Sequence, residues 1–547
     1  MNKTTGLATL LVCVLTACGG GGGGSTVTPV DTAPTPIGTA PTPSGAQASL
    51  AAPGSGKTPW NVSTPITVAL RDSSGATIAG ALTCASANTV ALRVAADCSS
   101  VTGMRLGVQT LAVSAGSVSA NVSIKVIPQA QPIGTLGSTQ NHNLVVTPAG
   151  KVLAWGGNYK GVLGQGKTYT AMNSVALPTP VKDQAGTGEL SGIVAASTGR
   201  EGTALALTED GEVWSWGDYR SLGRTANVEE TLPGKVRNAA NNGTLSGIVS
   251  VSIGDTNAVA LADDGTVYSW GAYPGQADSS SQRQFPGQVR AVTGAGVLSN
   301  VVAVSAGWNW SAALTGDGKV VAWGFNSDAR TGQSTTIMVV DRPSYVQRDS
   351  DGTAVDGIVA ISAGYGFGMA LNNAGQVYTW GSNFMGQLGQ NTSNNTSRPL
   401  ALLVKNADGN GLLSNIKMVS AGGNHAMALD QDGKVFAWGN ATSGQLGDGP
   451  NRPVMNQSLL PRAVVNSLGI GQLSNIAAIA TGDTHSLALD NDGRLLIWGD
   501  DYQQNLGQGG TSTTNLAVPT PVKDTAGSGV LSLAPLSTWP NLTSRAR

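Results

Sequence analysis

Hydrophobic residues in this chain recur in short runs that are separated by glycine and aspartate turns. One such stretch has an apolar run at residues 358–361, a second run that ends at residues 370–371, a turn at Gly375, and a third run at residues 377–380. Short runs bounded by turn residues predict antiparallel strands joined as hairpins. No stretch combines length with the 3.6-residue periodicity of a long amphipathic helix. The pattern therefore predicts an all-β protein.

The same unit of strands and turns is repeated through most of the chain, and a Trp-Gly pair marks each copy. An Asp-Gly or Ala-Gly turn and a short strand precede the pair, and a Pro-x-x-Val strand closes the unit. A single sheet of about four strands cannot bury its own faces, whereas sheets arranged radially can, and they also protect their edges. The repeats therefore predict a seven-bladed β-propeller of four-stranded blades over residues 129–547. The tryptophans of the seven pairs are Trp155, Trp216, Trp270, Trp323, Trp380, Trp438 and Trp498.

One copy shows the repeat most clearly. Residues 419–429 read Val-Ser-Ala-Gly-Gly-Asn-His-Ala-Met-Ala-Leu, and an Asp-Gly turn, Trp438-Gly439 and a Gly-Gln-Leu-Gly turn follow. This pattern resembles the regulator of chromosome condensation (RCC) repeat, and the resemblance covers residues 131–523. It implies an RCC-type propeller whose loops at one end engage protein partners.

The loop after each repeat's Ser-Ala-Gly element varies from copy to copy. Because this position is equivalent in every blade, we expect all these loops to lie on one face and to form a partner-binding surface. Four aromatic residues on adjacent blades are candidate hot spots if they are exposed. The predicted partner-binding residues are Asn141, Arg200, Glu201, Asp255, Trp308, Trp310, Tyr365, Phe367, Asn424 and Asp483.

The N-terminal residues have the features of an export signal. Lys3 precedes an apolar run at residues 6–15, which is too short to span a bilayer, so residues 1–17 are predicted to be a signal peptide. Residues 15–18, Leu-Thr-Ala-Cys, resemble the lipobox of bacterial lipoproteins. The resemblance implies lipidation of Cys18, and Gly19 after it implies sorting to the outer membrane, with the protein periplasmic or surface-exposed. Residues 18–48 then read as a Gly/Thr/Pro-rich tether.

Residues 49–128 form a second strand-rich segment. Its alternating runs and turns predict a small β-sandwich, and residues 86–91 and 107–113 resemble bacterial immunoglobulin-like modules. Cys13 lies in the signal and Cys18 is assigned to lipid, so Cys84 and Cys98 remain as a predicted disulfide for an oxidising compartment.

Composition and motifs exclude several functions. Charged residues are 12% of the chain and the formal net charge is −1, so no basic surplus exists to neutralise nucleic-acid phosphates. His142, His425 and His485 occupy one repeat position, which favours packing over metal binding. Residues 51–58 imitate a phosphate-binding loop, but Pro59 stands where its helix should begin. We therefore expect no catalytic residues, cofactor or metal, and a protein that is not an enzyme.

These observations predict a cell-envelope lipoprotein that presents a β-propeller as a protein-binding scaffold. The membrane is contacted through the lipid anchor only, nucleic acid is not a partner, and the protein partner is unidentified. Three alternatives remain open. The RCC resemblance implies guanine-nucleotide exchange and chromatin regulation, secreted propellers of this repeat class include β-lactamase inhibitors, and exposed aromatic residues suit carbohydrate binding.

Finally, residues 529–533 repeat the segment that leads into each unit, and we expect them to cross to the first blade.

Overall fold

The computed structural model describes residues 47–51, 57–59, 63–87, 89, 92–103, 107–127, 136–138, 142–226, 228–276, 282–392, 396–449, 456–510 and 514–533. Over these residues the protein is all-β, as predicted, and its helical elements are the short 3-10 turns at Tyr159–Gly161, Tyr219–Ser221 and Tyr502–Gln504. A helix with the length and apolarity needed to cross a membrane does not occur in this part of the chain. The predicted signal peptide, Cys18, most of the tether and Asn141 lie outside the described residues.

The N-terminal module is built from nine strands around its own core. β2, β9, β8 and β5 form one sheet, β3, β7 and β6 a second, and β1 pairs with β4. Leu70, Leu92 and Leu111 are fully buried in the core. A disulfide joins Cys84 in β5 to Cys98 in the turn before β7, which confirms the predicted pairing. The strands are β1 (Gln47–Ala51), β2 (Lys57–Pro59), β3 (Ser63–Pro65), β4 (Thr67–Arg71), β5 (Thr83–Ser86), β6 (Leu92–Val94), β7 (Ser100–Gly103), β8 (Gly107–Ala115) and β9 (Val118–Ile127).

The repeats form seven consecutive four-stranded antiparallel sheets among the described residues. Within each sheet the strands neighbour one another in chain order, so we call them first to fourth. Sheet 1 has β10 (Leu136–Ser138), β11 (His142–Val146), β12 (Val152–Gly157) and β13 (Ser174–Pro180). Sheet 2 has β14 (Ile193–Thr198), β15 (Thr203–Thr208), β16 (Val213–Gly217) and β17 (Glu230–Lys235). Sheet 3 has β18 (Ile248–Ile253), β19 (Asn257–Ala262), β20 (Val267–Ala272) and β21 (Gln282–Gln288).

The remaining four sheets follow the same order. Sheet 4 has β22 (Val301–Gly307), β23 (Trp310–Thr315), β24 (Val320–Phe325) and β25 (Val339–Tyr345). Sheet 5 has β26 (Ile358–Ala363), β27 (Phe367–Asn372), β28 (Val377–Gly381) and β29 (Arg398–Leu403). Sheet 6 has β30 (Ile416–Ala421), β31 (His425–Asp430), β32 (Val435–Asn440) and β33 (Gln457–Ala463). Sheet 7 has β34 (Ile476–Thr481), β35 (His485–Asp490), β36 (Leu495–Gly499) and β37 (Leu516–Pro521).

The Trp-Gly pair ends the third strand, and both of its residues are structural. The glycine has a positive φ (102° at Gly217), and a Cβ there would lie 1.9 Å from the carbonyl oxygen of Gly202, so other residues are excluded. The tryptophan is fully buried, and in six of the seven pairs its indole N–H donates to a loop carbonyl of the preceding sheet, for example from Trp270 to Ser221 at 2.8 Å. The exception is Trp323, whose indole N–H has no partner among the described residues. The repeated tryptophan therefore joins neighbouring sheets.

The first strands contact one another in order from sheet 1 to sheet 7, and β34 of sheet 7 also contacts β10 of sheet 1. Serine hydroxyls reinforce several of these contacts, as where Ser305 Oγ accepts from the backbone N–H of Ala363 at 2.9 Å. The equivalent residue of sheet 7 is Ala480, which has no hydroxyl. Because every sheet is one continuous piece of chain, the junction between sheets 7 and 1 depends on non-covalent contacts.

Side chains of the two terminal sheets make this junction. The indole of Trp155 and the amide of Asn143 both donate to the carbonyl of Asn505, at 2.9 Å and 2.7 Å. His485 Nε2 donates to Asn143 Oδ1 at 2.8 Å, and the backbone N–H of Gly509 donates to Ala176 O at 3.1 Å. The junction therefore repeats the Trp-to-carbonyl contact found between consecutive sheets.

Residues 529–533 form backbone hydrogen bonds to sheet 7, whereas we expected them to cross to sheet 1. The N–H groups of Leu531 and Leu533 donate to Val522 O and Gly493 O, each at 2.8 Å. The N–H of Leu190 makes the matching bond to Val181 in sheet 1 at 2.9 Å. The lead-in segment therefore hydrogen-bonds to the sheet that precedes it, and Leu531 and Leu533 are buried in a core that includes residues of sheets 7 and 1.

Candidate binding face

The loops that vary between repeats emerge at one end of the seven sheets. In each sheet the first residue of the second strand pairs with the glycine of Trp-Gly, as His425 does with Gly439. The loop before the second strand (the inner loop) and the loop after the third strand (the outer loop) therefore leave the sheet side by side. We call this end the loop face.

Trp310 and Phe367 do not lie in exposed loops, so that part of the expectation is wrong. Both side chains are fully buried, because β23 and β27 begin at these residues and not after them. Each occupies the position that holds His425 in sheet 6, and the Trp310 indole donates to Gly364 O of sheet 5 at 3.0 Å. These two residues therefore pack between sheets and are not available to a partner.

In sheets 3, 6 and 7 the first residue of the second strand hydrogen-bonds to the second residue of the same strand in the next sheet. His425 Nε2 is hydrogen-bonded to Ser486 Oγ at 2.9 Å, and Asn257 Nδ2 donates to Ser311 Oγ at 3.1 Å. Where the position holds Trp310, the corresponding residue of the next sheet is Gly368. In these three sheets a polar residue therefore has a polar partner, while the large indole of Trp310 is followed by the smallest residue.

Burial controls the ionisation of the three histidines at this position. It lowers the pKa of His142 and His485 to about 3 and that of His425 to about 4. All three are buried and hydrogen-bonded: His425 to Ser486, His485 to Asn143, and His142 to Thr198. They are therefore neutral packing residues at physiological pH.

Five of the predicted face residues meet at the centre of the loop face. These residues follow the inner-loop glycine of five different sheets, and we call them the axial cluster: Arg200, Asp255, Trp308, Tyr365 and Asp483. Arg200 Nε of sheet 2 lies 2.9 Å from Asp483 Oδ2 of sheet 7. The Arg200 guanidinium also lies 4.9 Å from the ring centroid of Tyr365 in sheet 5. Sheets 2, 5 and 7 are not sequential neighbours, so these contacts span the middle of the face.

The two aromatic rings of the axial cluster already pack against other side chains of the protein. Trp308 and Tyr365 stack with centroids 4.4 Å apart and planes at 6°. The buried guanidinium of Arg330 lies 4.7 Å from the Trp308 ring and donates to its carbonyl at 3.0 Å. Phe325 packs edge-on against Trp308 at 5.9 Å. Both rings are only half-buried, but cation–π and stacking contacts already engage them.

Burial also shifts the carboxylates of the cluster. Asp255 is 6% exposed, and desolvation followed by repulsion from Glu201 raises its pKa to about 6. Its Oδ1 accepts no hydrogen bond from the described residues. Burial likewise raises the pKa of Asp483, although Arg200 opposes the shift. The centre of the face therefore holds carboxylates whose ionised form is disfavoured by burial.

The remaining predicted residues lie around this centre. Glu201 forms an ion pair with Arg220 at 3.0 Å, and Arg220 also pairs with Asp218. Asn424 Oδ1 accepts from Gln387 Nε2 at 3.3 Å. Among the described residues, no group of three His, Cys, Asp or Glu side chains is placed to hold a metal ion.

The most exposed aromatic residues of the loop face lie in the outer loops, which the sequence-based prediction did not include. Tyr502 is 58% exposed, Phe384 45%, Tyr159 42% and Tyr219 41%. Each stands two or three residues after the glycine of Trp-Gly, and this recurrence was a signal available in the sequence. Tyr159, Tyr219 and Tyr502 each begin one of the 3-10 turns, which carry the rings outward.

Comparison with protein families supports the repeat assignment. Residues 275–535 match the model of the RCC1-like domain, and residues 149–206 and 210–261 match that of the Regulator of chromosome condensation (RCC1) repeat. Together these matches support the RCC-repeat propeller family for this part of the chain.

Curated relatives and solved structures are consistent with these family matches. The chain is 28% identical to Protein pim1 of Schizosaccharomyces pombe over 355 residues, which is 59% of this chain and 62% of that protein. It is 28% identical to Regulator of chromosome condensation of Mus musculus over 396 residues, 68% of this chain and 84% of that protein. The structure of Prp20p from Saccharomyces cerevisiae is similar with a TM-score of 0.55 at 23% identity, covering 70% of this chain and 88% of that one. At that identity the structural likeness shows the fold alone.

Proposed function

We propose that this protein is a bacterial cell-envelope lipoprotein that presents a closed seven-bladed RCC-type propeller as a protein-binding scaffold. The chain fits an N-terminal signal peptide, a lipid on Cys18 and a Pro-rich tether, followed by an Ig-like sandwich as spacer. Seven sheets whose first strands contact one another in a cycle support closure of the ring.

Exposed apolar side chains on the loop face carry the protein-binding proposal. They lie in the outer loops of neighbouring sheets 4 and 5, and we call them together the docking patch: Ile337, Met338, Val339 and Phe384. All four side chains are exposed, with Met338 53% and Phe384 45% accessible. Methionine and aromatic residues are enriched in the cores of protein interfaces, where burial of apolar area supplies affinity. The patch replaces Trp310 and Phe367 as the predicted source of hot spots.

The fold neighbours also favour a protein ligand. Prp20p from Saccharomyces cerevisiae has binding properties to Gsp1p and histones, and yeast RCC1 (Prp20) has been solved with Kap60 bound. These partners are stated for Prp20p and not for this chain. Nucleic-acid-linked roles fit this chain poorly because its formal net charge is −1. We propose protein binding without catalysis, since the loop face gathers packing and ion-pair residues and no nucleophile–base arrangement among them.

Site-specific cross-linking tests the proposal. A photo-reactive residue at Phe384 should capture one partner in envelope fractions, and that partner, once purified, should bind the full-length protein. Phe384→Ala and Met338→Ala should each weaken the binding by about ten-fold. Leu468→Ala is the matched control, because Leu468 is 79% exposed and lies away from the loop face, where β33 ends. Unchanged affinity in both patch variants would reject the docking patch.

The lipid anchor has its own test. Labelled palmitate should be incorporated into the wild-type protein and not into Cys18→Ser, which should appear as a soluble envelope protein. Equal labelling of both proteins would contradict the assignment of Cys18.

A further inference from the structure

A second exposed surface of the loop face lies opposite the docking patch and has different chemistry. It is formed by four tyrosines of sheets 7, 1 and 2, and we call it the tyrosine arc: Tyr502, Tyr169, Tyr159 and Tyr219. The Tyr159 and Tyr169 rings are perpendicular, with centroids 6.1 Å apart and planes at 79°. Gln503 Nε2, next to Tyr502, donates to the Tyr169 hydroxyl at 2.9 Å. The arc is therefore continuous across the junction of sheets 7 and 1.

The groups around the arc are amides, hydroxyls and balanced charges. Lys160 lies 5.3 Å from the Tyr159 ring and is paired with Glu229 at 2.8 Å. Lys167, two residues from Tyr169, adds one positive charge, and Asp500 and Asp501 before Tyr502 add two carboxyl groups. Asp218 and Arg220, which flank Tyr219, form an ion pair. The arc thus lacks the cationic surplus that a uronate or sulfated polymer would require.

Two rings of the arc, those of Tyr502 and Tyr219, are more accessible than the rings of the axial cluster. Tyr502 and Tyr219 make no ring-stacking or cation–π contact with the described residues, whereas Trp308 and Tyr365 are engaged by Arg330 and Arg200. Tyrosine combines an apolar ring face with a polar hydroxyl. Its ring suits the C–H face of a pyranose, while its hydroxyl can both donate to and accept from sugar hydroxyls.

We propose that the tyrosine arc binds a neutral polysaccharide through stacking of successive sugar rings on tyrosines of neighbouring sheets. The docking patch contains aliphatic and thioether side chains, as protein interfaces do, whereas the arc has tyrosines with amide and hydroxyl neighbours. The loop face therefore carries two sites, one for a protein and one for an uncharged glycan.

Affinity electrophoresis of the full-length protein tests this site. The probes are three neutral polymers, hydroxyethyl cellulose, yeast mannan and amylopectin, with the acidic polymer alginate beside them. At least one neutral polymer should retard the protein, and alginate should not. Tyr502→Ala and Tyr159→Ala should each weaken binding by about ten-fold, because each removes one stacking ring. Unchanged melting temperatures would show that the variants remain folded.

Phe384→Ala is the matched control, since Phe384 is an exposed aromatic residue of an outer loop outside the arc. It should leave glycan binding unchanged while weakening the protein partner. The proposal is overturned if no neutral polymer retards the protein, if only alginate does, or if Phe384→Ala and Tyr502→Ala lose glycan binding equally. Partner capture at Phe384 without glycan binding would remove the arc proposal and leave the protein-binding proposal intact.

Discussion

The Arg200 guanidinium and the Asp483 carboxylate lie 2.9 Å apart although sheet 1 separates their sheets in the ring order. The Nε–H does not point at the carboxylate oxygen, so the contact is an ion pair and not a linear hydrogen bond. Arg200 is one-third exposed while Asp483 is 16% exposed, so the pair is only partly screened by solvent. It links two sheets through the centre of the loop face.

A double-mutant cycle measures this link. Arg200→Met keeps the stem that packs on Tyr365 and removes the charge, leaving Asp483 unpaired. We expect it to lower the free energy of unfolding by about 1–3 kcal/mol, between the values for surface and buried pairs. With Asp483→Asn, the coupling energy should reach about 1 kcal/mol in urea denaturation.

The exposed pair of Lys319 with Asp317, at 2.9 Å, supplies the comparison. Its cycle should give a clearly smaller coupling energy, because both side chains are largely solvated. Equal coupling energies in the two cycles would mean that the axial pair contributes nothing special to stability.

The junction between sheets 7 and 1 should be the part of the ring most sensitive to a single polar substitution. Asn143→Ala removes the bonds that Asn143 makes to His485 and to the carbonyl of Asn505. We expect a loss of about 2–3 kcal/mol in the free energy of unfolding, because both bonds are buried. Hydrogen exchange should accelerate in sheets 7 and 1 before other sheets.

Ser486→Ala is the counterpart at the junction of sheets 6 and 7, where it removes the bond to His425. That junction is also held by the chain itself, so exchange should rise less and should not spread to sheet 1. If both variants gave the same exchange pattern, the closing junction would be no weaker than the others.

Stability should fall as the pH drops below about 6.5 because of the buried histidines. The unfolded chain protonates histidine near its usual pKa of about 6.5, whereas the folded protein keeps His425 neutral down to a pKa of about 4. The unfolded state therefore binds more protons between these values, and the stabilisation present above pH 6.5 is lost as the pH falls. Asp255, with its pKa raised to about 6, acts in the opposite direction.

The substitution His425→Asn isolates this effect. It recreates opposite Ser486 the Asn–Ser pair that Asn257 and Ser311 form at 3.1 Å. The slope of unfolding free energy against pH between about pH 4.5 and 6 should become shallower by up to about 1.4 kcal/mol per unit, which corresponds to one proton. Chemical denaturation at several pH values provides the measurement, and an unchanged slope would show that His425 titrates normally in the folded protein.

The disulfide should stabilise the N-terminal module alone. Cys84 and Cys98 are 14 residues apart, and a loop of that length is expected to contribute about 3 kcal/mol by restricting the unfolded chain. The double variant Cys84→Ser, Cys98→Ser should expose residues within 63–127 to protease at lower temperature than in the wild type. Cleavage within residues 142–533 should begin at the same temperature in both proteins, and earlier cleavage there would show that the module supports the sheets.

Much of the framework was predictable from local sequence. The Trp-Gly pairs and the Asp-Gly turns fixed the third strand and the hairpin before it, because a positive φ and a close backbone contact admit little besides glycine. The pairing of Cys84 with Cys98 followed from counting the cysteines left after export. The packing role of the three histidines was also predictable, because a residue type that recurs at one repeat position reflects one packing environment.

What local sequence could not decide was which aromatic residues remain accessible. Trp308 and Trp310 are two residues apart in one segment, yet the first lies on the loop face and the second is buried between sheets 4 and 5. Their difference depends on where the second strand begins and on the space that Gly368 leaves in the next sheet. The outer-loop tyrosines were visible in the sequence, but their exposure depends on 3-10 turns that the repeat pattern does not specify.

The sequence by itself therefore determined the repeated sheet, its turns and its buried tryptophan, because these depend on backbone conformation and on contacts within one unit. Only the tertiary structure decided the axial cluster and the tyrosine arc. Arg200 meets Asp483, and Gln503 meets Tyr169, only after seven sheets have been arranged around one axis. Contacts between residues so distant in the chain arise from the sum of small rotations between sheets, and no single repeat encodes that sum.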